Sequence, residues 1–243
     1  MDYHLITKTL VKWIQSKIQE ARANGAVVGL SGGIDSAVVL ALCQRACQQN
    51  CLGIIMPCKS ENKDVEDAKL IAEYLKVPYK IVELDQVYES FLNAANLSNK
   101  NHIPKMVLAN IKPRLRMTML YYEGGLNKYL VVGTSNKSEL VIGYYTKYGD
   151  GGVDIEPIGN LVKSQVLELA RYLQIPEIII NKTPTAGLWE GQTDELEMGV
   201  TYRELDHYIL NGCASDSAKS RIEKLIKVSE HKRHMPPVAP LII

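Results

Sequence analysis

The sequence predicts an α/β protein in which a parallel sheet is covered by helices on both faces. Short apolar runs alternate along the chain with longer segments of helical periodicity, and the runs are apolar throughout. Strands that are buried on both faces have this composition, because every side chain along them contacts the core. The 243 residues fit one large α/β domain, so we expect a single domain over residues 1–243.

The elements follow one another in a regular order. Apolar residues at three- and four-residue steps predict an opening helix over residues 5–18. Uniformly apolar runs then predict four strands, at residues 25–30, 51–56, 79–84 and 129–133. Helical periodicity follows the first two strands and returns near the C-terminus, at residues 35–48, 62–75 and 202–231. Two long loops interrupt this order, residues 143–159 and 183–193, and loops of such length often close over a site.

Composition and charge argue against several classes of protein. Hydrophobic residues make up 46% of the chain and charged residues 23%, and no run approaches the about 18 apolar residues that span a bilayer. A net charge of +1 gives no general attraction for nucleic acid. The N-terminal segment lacks the apolar core of a signal peptide, and the five cysteines lack the close pairs of a zinc site. We therefore expect a cytoplasmic protein that binds neither nucleic acid nor membrane.

The turn after the first predicted strand has the clearest chemical meaning. The apolar run ends in Ser31-Gly32-Gly33-Ile34-Asp35-Ser36, where a helix is predicted to begin. Paired glycines let backbone N–H groups approach a ligand, and a helix start adds unpaired donors, so the turn predicts a phosphate site. The pattern G-x-x-x-x-G-K-[ST] of kinases and GTPases does not occur. In the plainer interpretation, Asp35 or Ser36 only caps the helix.

The string S-G-G-I-D-S resembles the pyrophosphate-binding loop of the ATP pyrophosphatases, whose fold is the Rossmann-like adenine nucleotide α-hydrolase architecture. Members of this superfamily activate a substrate oxygen by transfer of AMP and release pyrophosphate. Further segments resemble the blocks of one member family, the NAD synthetases, in the family's order and from about residue 5 to residue 237. These segments are residues 110–117, 133–139, 143–154, 157–166, 184–189, 191–195 and 231–237.

The resemblance implies a ligase that uses ATP to convert the nicotinate carboxylate of deamido-NAD into the amide of NAD. Free ammonia is the implied nitrogen donor, unless a partner subunit supplies it, because glutamine-using relatives carry an additional domain for which this chain has no room. The family also implies a homodimer of C₂ symmetry whose site is built across the subunit interface.

The resemblance further implies an ATP site and a Mg²⁺ cofactor. The implied ATP contacts are Gly29, Leu30, Ser31, Gly32, Gly33, Ile34, Asp35, Ser36, Thr134, Lys163 and Thr185. Asp35 and Glu139 would hold Mg²⁺, since both follow predicted strands and carry the oxygen ligands that this ion favours. Without the resemblance, Glu139 is equally well explained as a solvated helix start, and Lys163 as a solvated charge.

Five residues match family positions that hold deamido-NAD, namely Arg114, Lys147, Asp154, His231 and Lys232. Cations among them suit the diphosphate, and the acidic residue suits a ribose hydroxyl. Pro113 replaces a small residue of many relatives, which leaves open whether Arg114 or Arg116 makes the contact.

Two residues are expected to take part in the chemistry. Lys163 would stabilise charge that develops on the phosphates. Asp150 is the candidate base that removes a proton from ammonium, and its alternative role is that of a turn residue before Gly151-Gly152.

Two other functions use the same loop. One is another ATP pyrophosphatase, either a GMP-synthetase-like core or a tRNA-thiolating enzyme, although the latter favours paired cysteines and a basic face that this sequence lacks. The other is a sensor that binds an adenine nucleotide without turnover, against which both candidate metal carboxylates argue.

Overall fold

A four-stranded parallel sheet forms the centre of the computed structural model, which describes residues 1–95, 103–189 and 191–241. The strands are β1 (Gly25–Leu30), β2 (Cys51–Ile55), β3 (Tyr79–Ile81) and β4 (Tyr129–Val132), in the order β3-β2-β1-β4. The strand predicted over residues 79–84 is shorter, although hydrogen bonds from the backbone N–H groups of Val82 and Leu84 continue the pairing beyond β3. The fold class and the four strands are confirmed.

Helices connect and flank the strands. They are α1 (Tyr3–Glu20), α2 (Ile34–Cys47), α3 (Asn62–Tyr74), α4 (Asp85–Ala94), α5 (Lys105–Ala109), α6 (Ile111–Asn127), α7 (Lys137–Ile142), α8 (Lys163–Tyr172), α9 (Glu177–Ile180), α10 (Asp194–Met198), α11 (Tyr202–Asn211) and α12 (Asp216–Ser229). The helical stretch predicted over residues 202–231 is divided into two helices, because the chain turns at Gly212 with a φ of 72°. Glycine adopts this left-handed conformation without strain and commonly ends a helix.

The two faces of the sheet bury different apolar clusters. Ala26 and Val28 of β1 face the cluster that includes α2 and α8, whereas Val27 between them faces the cluster beneath α6. Residues 37–43 of α2 are all fully buried, as expected of a helix that is apolar on every side and lies between the sheet and other helices. Helices therefore cover both faces, as the continuous apolar strands predicted.

A third apolar cluster lies beside the end of β4. It joins α7, α10, α11 and α12 through residues such as Ile142, Met198, Leu205 and Ile222. None of the helices that the structure describes has the length and apolar character required to cross a membrane.

The strand order places a crevice between β1 and β4. The chain passes from β1 to β2 on one side and later returns to the other side of β1 as β4. At such a reversal, the loops that leave the two strands run in opposite directions and open a crevice where ligands bind. The S-G-G-I-D-S turn follows β1 and residues 133–139 follow β4, so both lie at this crevice.

Candidate active site

A cavity of about 460 Å³ opens at the carboxyl ends of β1, β2 and β4. The turn after β1 contributes to its wall, and so do both long loops that interrupt the regular order of elements. Eleven of the implied ATP and metal residues line it, namely Gly29, Leu30, Ser31, Gly33, Ile34, Asp35, Ser36, Thr134, Glu139, Lys163 and Thr185. Its volume lies within the range of small-molecule sites.

The backbone of the S-G-G-I-D-S turn is fixed by close packing. Gly32 has a φ of 75°, and a Cβ atom there would lie 2.5 Å from the carbonyl oxygen of Asp64, so only glycine fits. The Ser36 hydroxyl donates to the carbonyl oxygen of Gly33 at 2.9 Å, and Gly33 N–H donates to Ser31 Oγ at 3.3 Å. The N-cap of α2 is Gly33, and no side chain caps this helix end. The interpretation in which Asp35 or Ser36 only caps the helix is therefore wrong.

Asp35, Glu139 and Lys163 converge from three elements. Lys163 is the first residue of α8, and its Nζ lies 2.5 Å from Asp35 Oδ2 and 3.8 Å from Glu139 Oε1. Only 4% of the Lys163 side chain is exposed, so the interpretation of this residue as a solvated charge is wrong. Asn136 caps α7 and donates from Nδ2 to Asp35 Oδ1 at 3.0 Å.

Glu139 combines the two roles that its sequence position allows. Its carboxylate completes the capping box of α7 with Asn136, so it does belong to a helix start. The side chain is nevertheless only 15% exposed and faces the cavity rather than open solvent. The position at the crevice is the one predicted for a metal carboxylate.

More negative than positive charge is buried at this centre. Burial and then the neighbouring Asp35 raise the pKa of Glu139 to about 8. Burial alone would lower the pKa of Lys163, but Asp35 and Glu139 raise it above its ordinary value, so the lysine is charged. Asp194 adds a third carboxyl, because the Tyr202 hydroxyl lies 2.9 Å from Asp194 Oδ2 and 3.2 Å from Glu139 Oε1. A cation between Asp35 and Glu139 would offset the repulsion between their carboxylates.

The oxygen donors at this centre fit Mg²⁺. Asp35 and Glu139 are hard oxygen ligands at the edge of a cavity that is suited to phosphates. Within the described part of the chain, no group of three or more acidic, histidine or cysteine side chains forms a full metal cage. Mg²⁺ is usually bound by one or two carboxylates together with phosphates and waters, so a pair is sufficient.

Asp150 lies in the first long loop and lines the cavity. Its Oδ1 accepts a hydrogen bond of 2.9 Å from the backbone N–H of Thr146, so the side chain does stabilise a turn. The residue as a whole is exposed, whereas desolvation of its carboxyl group raises the pKa of that group above its ordinary value, which favours the acceptance of a proton. The structure is compatible with both of the roles that its sequence position suggests.

The five residues matched to deamido-NAD are distributed differently from the ATP residues. Lys232 lines the cavity and donates to the carbonyl oxygens of Gly143 and Tyr145 at 2.8 and 2.6 Å. The other four, Arg114, Lys147, Asp154 and His231, are not among the described residues of the cavity wall.

Three of these four residues form a chain of contacts on the surface. Arg114 Nε donates to the carbonyl oxygen of Lys147 at 3.3 Å, and Lys147 Nζ donates to that of His231. Asp154 accepts from the Tyr121 hydroxyl at 2.9 Å and from Val131 N–H at 2.8 Å. Their roles toward a dinucleotide remain predictions.

Arg116 is the alternative to Arg114 that Pro113 leaves open. Arg116 lines the cavity, with Nε donating to the carbonyl oxygen of Met56 at 3.1 Å and Nη2 to Ser60 Oγ at 3.1 Å. Pro113 lies in the first turn of α6, where a missing N–H is tolerated. Arg116 therefore lies on the cavity wall and Arg114 does not, and which of the two arginines contacts deamido-NAD remains a prediction.

Sequence reasoning missed two further groups at the cavity. Lys182 lines it and contacts Asp64 and Asp67 of α3, and Asp194 lines it from α10. Asp194 lies within the block 191–195, and Lys182 lies two residues before the block 184–189. Proximity to these blocks was the available signal for both.

Comparisons with known proteins show which proteins this chain resembles. The family model described as NAD synthase matches residues 6–236. The NH(3)-dependent NAD(+) synthetase of Carboxydothermus hydrogenoformans is 52% identical over 97% of each chain, and that of Archaeoglobus fulgidus is 44% identical over 98% of each chain. Among solved structures, the NMN synthetase from Francisella tularensis has a TM-score of 0.94 at 37% identity and covers 99% of this chain and 100% of its own. The NH3-dependent NAD synthetase from Campylobacter jejuni has a TM-score of 0.81 at 34% identity, with the same coverage.

Proposed function

This chain belongs to the NAD synthase family, and we propose that its site joins ammonia to the nicotinate carboxylate of deamido-NAD, forming NAD with cleavage of ATP to AMP and pyrophosphate. It is thus a ligase that forms a C–N bond. The observation that carries the proposal is the position of Lys163, which is buried between Asp35 and Glu139 beside the S-G-G-I-D-S turn. This arrangement suits the stabilisation of phosphate charge rather than the supply of a nucleophile.

In the first step, a carboxylate oxygen of deamido-NAD attacks the α-phosphorus of ATP, and the bond from that phosphorus to the bridging oxygen breaks. Pyrophosphate leaves, and the carboxylate becomes an acyl-adenylate. The N–H groups of the turn and the Lys163 ammonium stabilise the negative charge on the leaving group. Asp35 and Glu139 are the residues that would hold Mg²⁺, which supplies further electrostatic stabilisation of the phosphates.

In the second step, ammonia attacks the carbonyl carbon of the acyl-adenylate, and the attached nitrogen releases one proton to solvent. AMP leaves with the electron pair of the bond between that carbon and the phosphate oxygen. Ammonium must lose a proton to become the nucleophile. We assign the acceptance of that proton to Asp150, which lines the cavity and whose carboxyl pKa is raised by desolvation.

A C₂ homodimer in the cytoplasm completes the proposal. Apolar side chains are exposed on the outer surface of α6 and on the neighbouring α4, namely Tyr121, Tyr122, Leu126 and Phe91. Tyr121 also contacts Asp154, so a partner that covers this surface would lie beside a predicted substrate residue. The five cysteines are free thiols, which supports a reducing compartment. A fully active monomer at micromolar concentration would contradict the shared site.

Nicotinic acid mononucleotide is a second candidate substrate. The likeness to the NMN synthetase from Francisella tularensis, with its TM-score of 0.94, favours it. A mononucleotide lacks the adenylyl half of deamido-NAD. The surface chain formed by Arg114, Lys147 and His231 would therefore be needed only for the dinucleotide.

One assay tests both candidates. The purified protein is incubated with ATP, Mg²⁺ and ammonium, with either deamido-NAD or nicotinic acid mononucleotide, and in parallel with glutamine in place of ammonium. Formation of NAD with equal amounts of AMP and pyrophosphate is the expected result. Turnover of the mononucleotide alone would move the assignment to NMN synthesis. If ATP is cleaved only with an unrelated acid, the adenylylation chemistry is retained and both candidate substrates are rejected. If ATP is cleaved with no acid, the protein is a nucleotide sensor.

A further inference from the structure

Lys182 lies between α9 and the second long loop and uses its full hydrogen-bonding capacity on three acceptors. Its Nζ is 2.8 Å from Asp64 Oδ1, 2.5 Å from Asp67 Oδ2 and 3.3 Å from the carbonyl oxygen of Gly32. A lysine ammonium has three N–H donors, so these contacts leave none for a ligand. Burial alone would lower the pKa of Lys182, but the bonds to Asp64 and Asp67 raise it, and the ammonium is charged.

These contacts join three separate segments around the turn after β1. Gly32 belongs to the turn itself, Asp64 and Asp67 belong to α3, and Thr185 of the second long loop follows Lys182 by three residues. The backbone of α3 already packs so closely on Gly32 that a Cβ atom would not fit. Lys182 adds the contact that fixes the rotation of the peptide between Gly32 and Gly33.

The orientation of this peptide decides where one phosphate donor points. The carbonyl of Gly32 and the N–H of Gly33 belong to the same peptide group, and the described chain contains no cis peptide bonds. In a trans peptide, the C=O and N–H bonds point in opposite directions. Since the carbonyl points to Lys182, the N–H of Gly33 points away from it, toward Ser31 Oγ on the cavity wall.

We propose that Lys182 is a positioning residue that orients the Gly33 N–H of the turn toward the pyrophosphate portion of ATP. This inference rests on the proposed function, because it assumes that the turn binds those phosphates. Direct contact between Lys182 and phosphate would require the ammonium to leave two carboxylates. Lys182, Asp64 and Asp67 together carry a net negative charge, which would repel a phosphate rather than attract it.

Binding of inorganic pyrophosphate in the presence of Mg²⁺, measured by titration calorimetry on the full chain, tests the inference. Loss of a hydrogen bond from a charged group predicts that Lys182→Met weakens pyrophosphate binding about tenfold. Binding of AMP should stay unchanged, which a general loss of structure would not allow. Lys59→Met is the matched control, since Lys59 lines the same surface cavity as Lys182 but pairs with Asp85 and Glu89.

Asp67→Asn tests the positioning role, because removal of a negative charge by itself raises the affinity for pyrophosphate. A lower affinity in this variant would therefore support positioning, since the weaker hydrogen bond from the Lys182 ammonium to a neutral amide is the change that can lower it. An unchanged or higher affinity would overturn the positioning role. This isosteric variant also keeps the test available if Lys182→Met does not fold.

The outcomes distinguish the two proposals. If the wild-type protein binds pyrophosphate and the variants bind it with the same affinity, the role of Lys182 is overturned and the proposed function stands. A wild-type protein that neither binds pyrophosphate nor cleaves ATP would overturn the proposed function.

Discussion

Two lysines of the cavity wall each lie between two carboxylates, yet the two groups have different properties. Lys182 forms hydrogen bonds to both of its carboxylates and to a backbone carbonyl, so its charge is matched by close partners. Lys163 forms one such bond, to Asp35 at 2.5 Å, while Glu139 lies 3.8 Å away. At that distance Glu139 gains some Coulomb energy but no hydrogen bond from the lysine.

The same combination of one lysine and two carboxylates therefore serves two purposes, to hold chain segments in place and to form a ligand site. In the Lys182 group every donor is used, which is suited to holding chain segments in place. In the Lys163 group a buried carboxyl lacks full compensation, and its pKa is raised to about 8. Perturbed groups of this kind in a cavity are typical of functional sites, because ligand binding can relieve the imbalance. We therefore expect substitutions in the two groups to affect different steps.

Lys163→Met should have the largest effect. Removal of one group that stabilises transition-state charge predicts a fall in kcat of about 10²–10³-fold, even at saturating ATP. Lys182→Met should instead raise the KM for ATP and leave kcat within a few-fold of wild type, because it acts on phosphate binding. Both values follow from the rate of pyrophosphate release with deamido-NAD and ammonium.

Lys12→Met on the exposed surface of α1 is the control for loss of a lysine. Circular dichroism should show that each variant is folded before its rates are compared. Equal kcat for wild type and Lys163→Met would contradict the distinction between the two groups.

Asp150→Asn tests a carboxyl that belongs to neither group. Asp150 forms no ion pair within the described ranges. Desolvation by the surrounding loop raises the pKa of its carboxyl group, and a raised pKa suits a group that accepts a proton. As a general base it should contribute about 10²-fold to the ammonia-dependent step. The acyl-adenylate should still form, so pyrophosphate release in a single turnover should remain while NAD formation slows.

The asparagine side chain can still accept the hydrogen bond from Thr146 N–H, so the turn is preserved in this variant. A full rate of NAD formation in Asp150→Asn would leave Asp150 with the role of a turn residue only.

The sheet and its ligand edge could be predicted from the sequence, since their signals are local. Apolar runs predicted all four strands, and the parallel arrangement placed Asp35 and Glu139 at the ends of neighbouring strands. The contact of Lys182 with Gly32 could not be predicted, because 150 residues separate the two and no local sequence pattern indicates that they meet. A hydrogen bond between loops depends on the final packing, which a local pattern does not contain.

The sequence leaves the choice between Arg114 and Arg116 open for a geometric reason. Residues two positions apart lie on nearly opposite sides of a helix. Only one of these arginines can therefore face the cavity, and the rotation of α6 about its axis decides which. That rotation is set by contacts of α6 with β1 and β4, so the motif alone leaves the answer open.

The smallest expected effect concerns stability and would sharpen the contrast between the two groups. The pKa of Glu139 is about 8 in the folded protein, against an ordinary value of 4.5. Between these values the folded state binds more protons than the unfolded state, so the free energy of unfolding falls as pH rises from about 5 to about 8. One such group contributes a slope of at most about 1.4 kcal/mol per pH unit.

Glu139→Gln should reduce this slope without abolishing it, because burial raises the pKa of Glu156 to about 8 as well. Urea unfolding between pH 5.5 and 8 in the presence of a chelator measures the effect, with the exposed Glu168→Gln as the matched control. Addition of Mg²⁺ at pH 8 should raise the stability of the wild type more than that of Glu139→Gln, since the ion would compensate the charge that this variant lacks. If both proteins gave parallel pH profiles, Glu139 would be as well compensated as the carboxylates around Lys182, and the contrast between the two lysine groups would not hold.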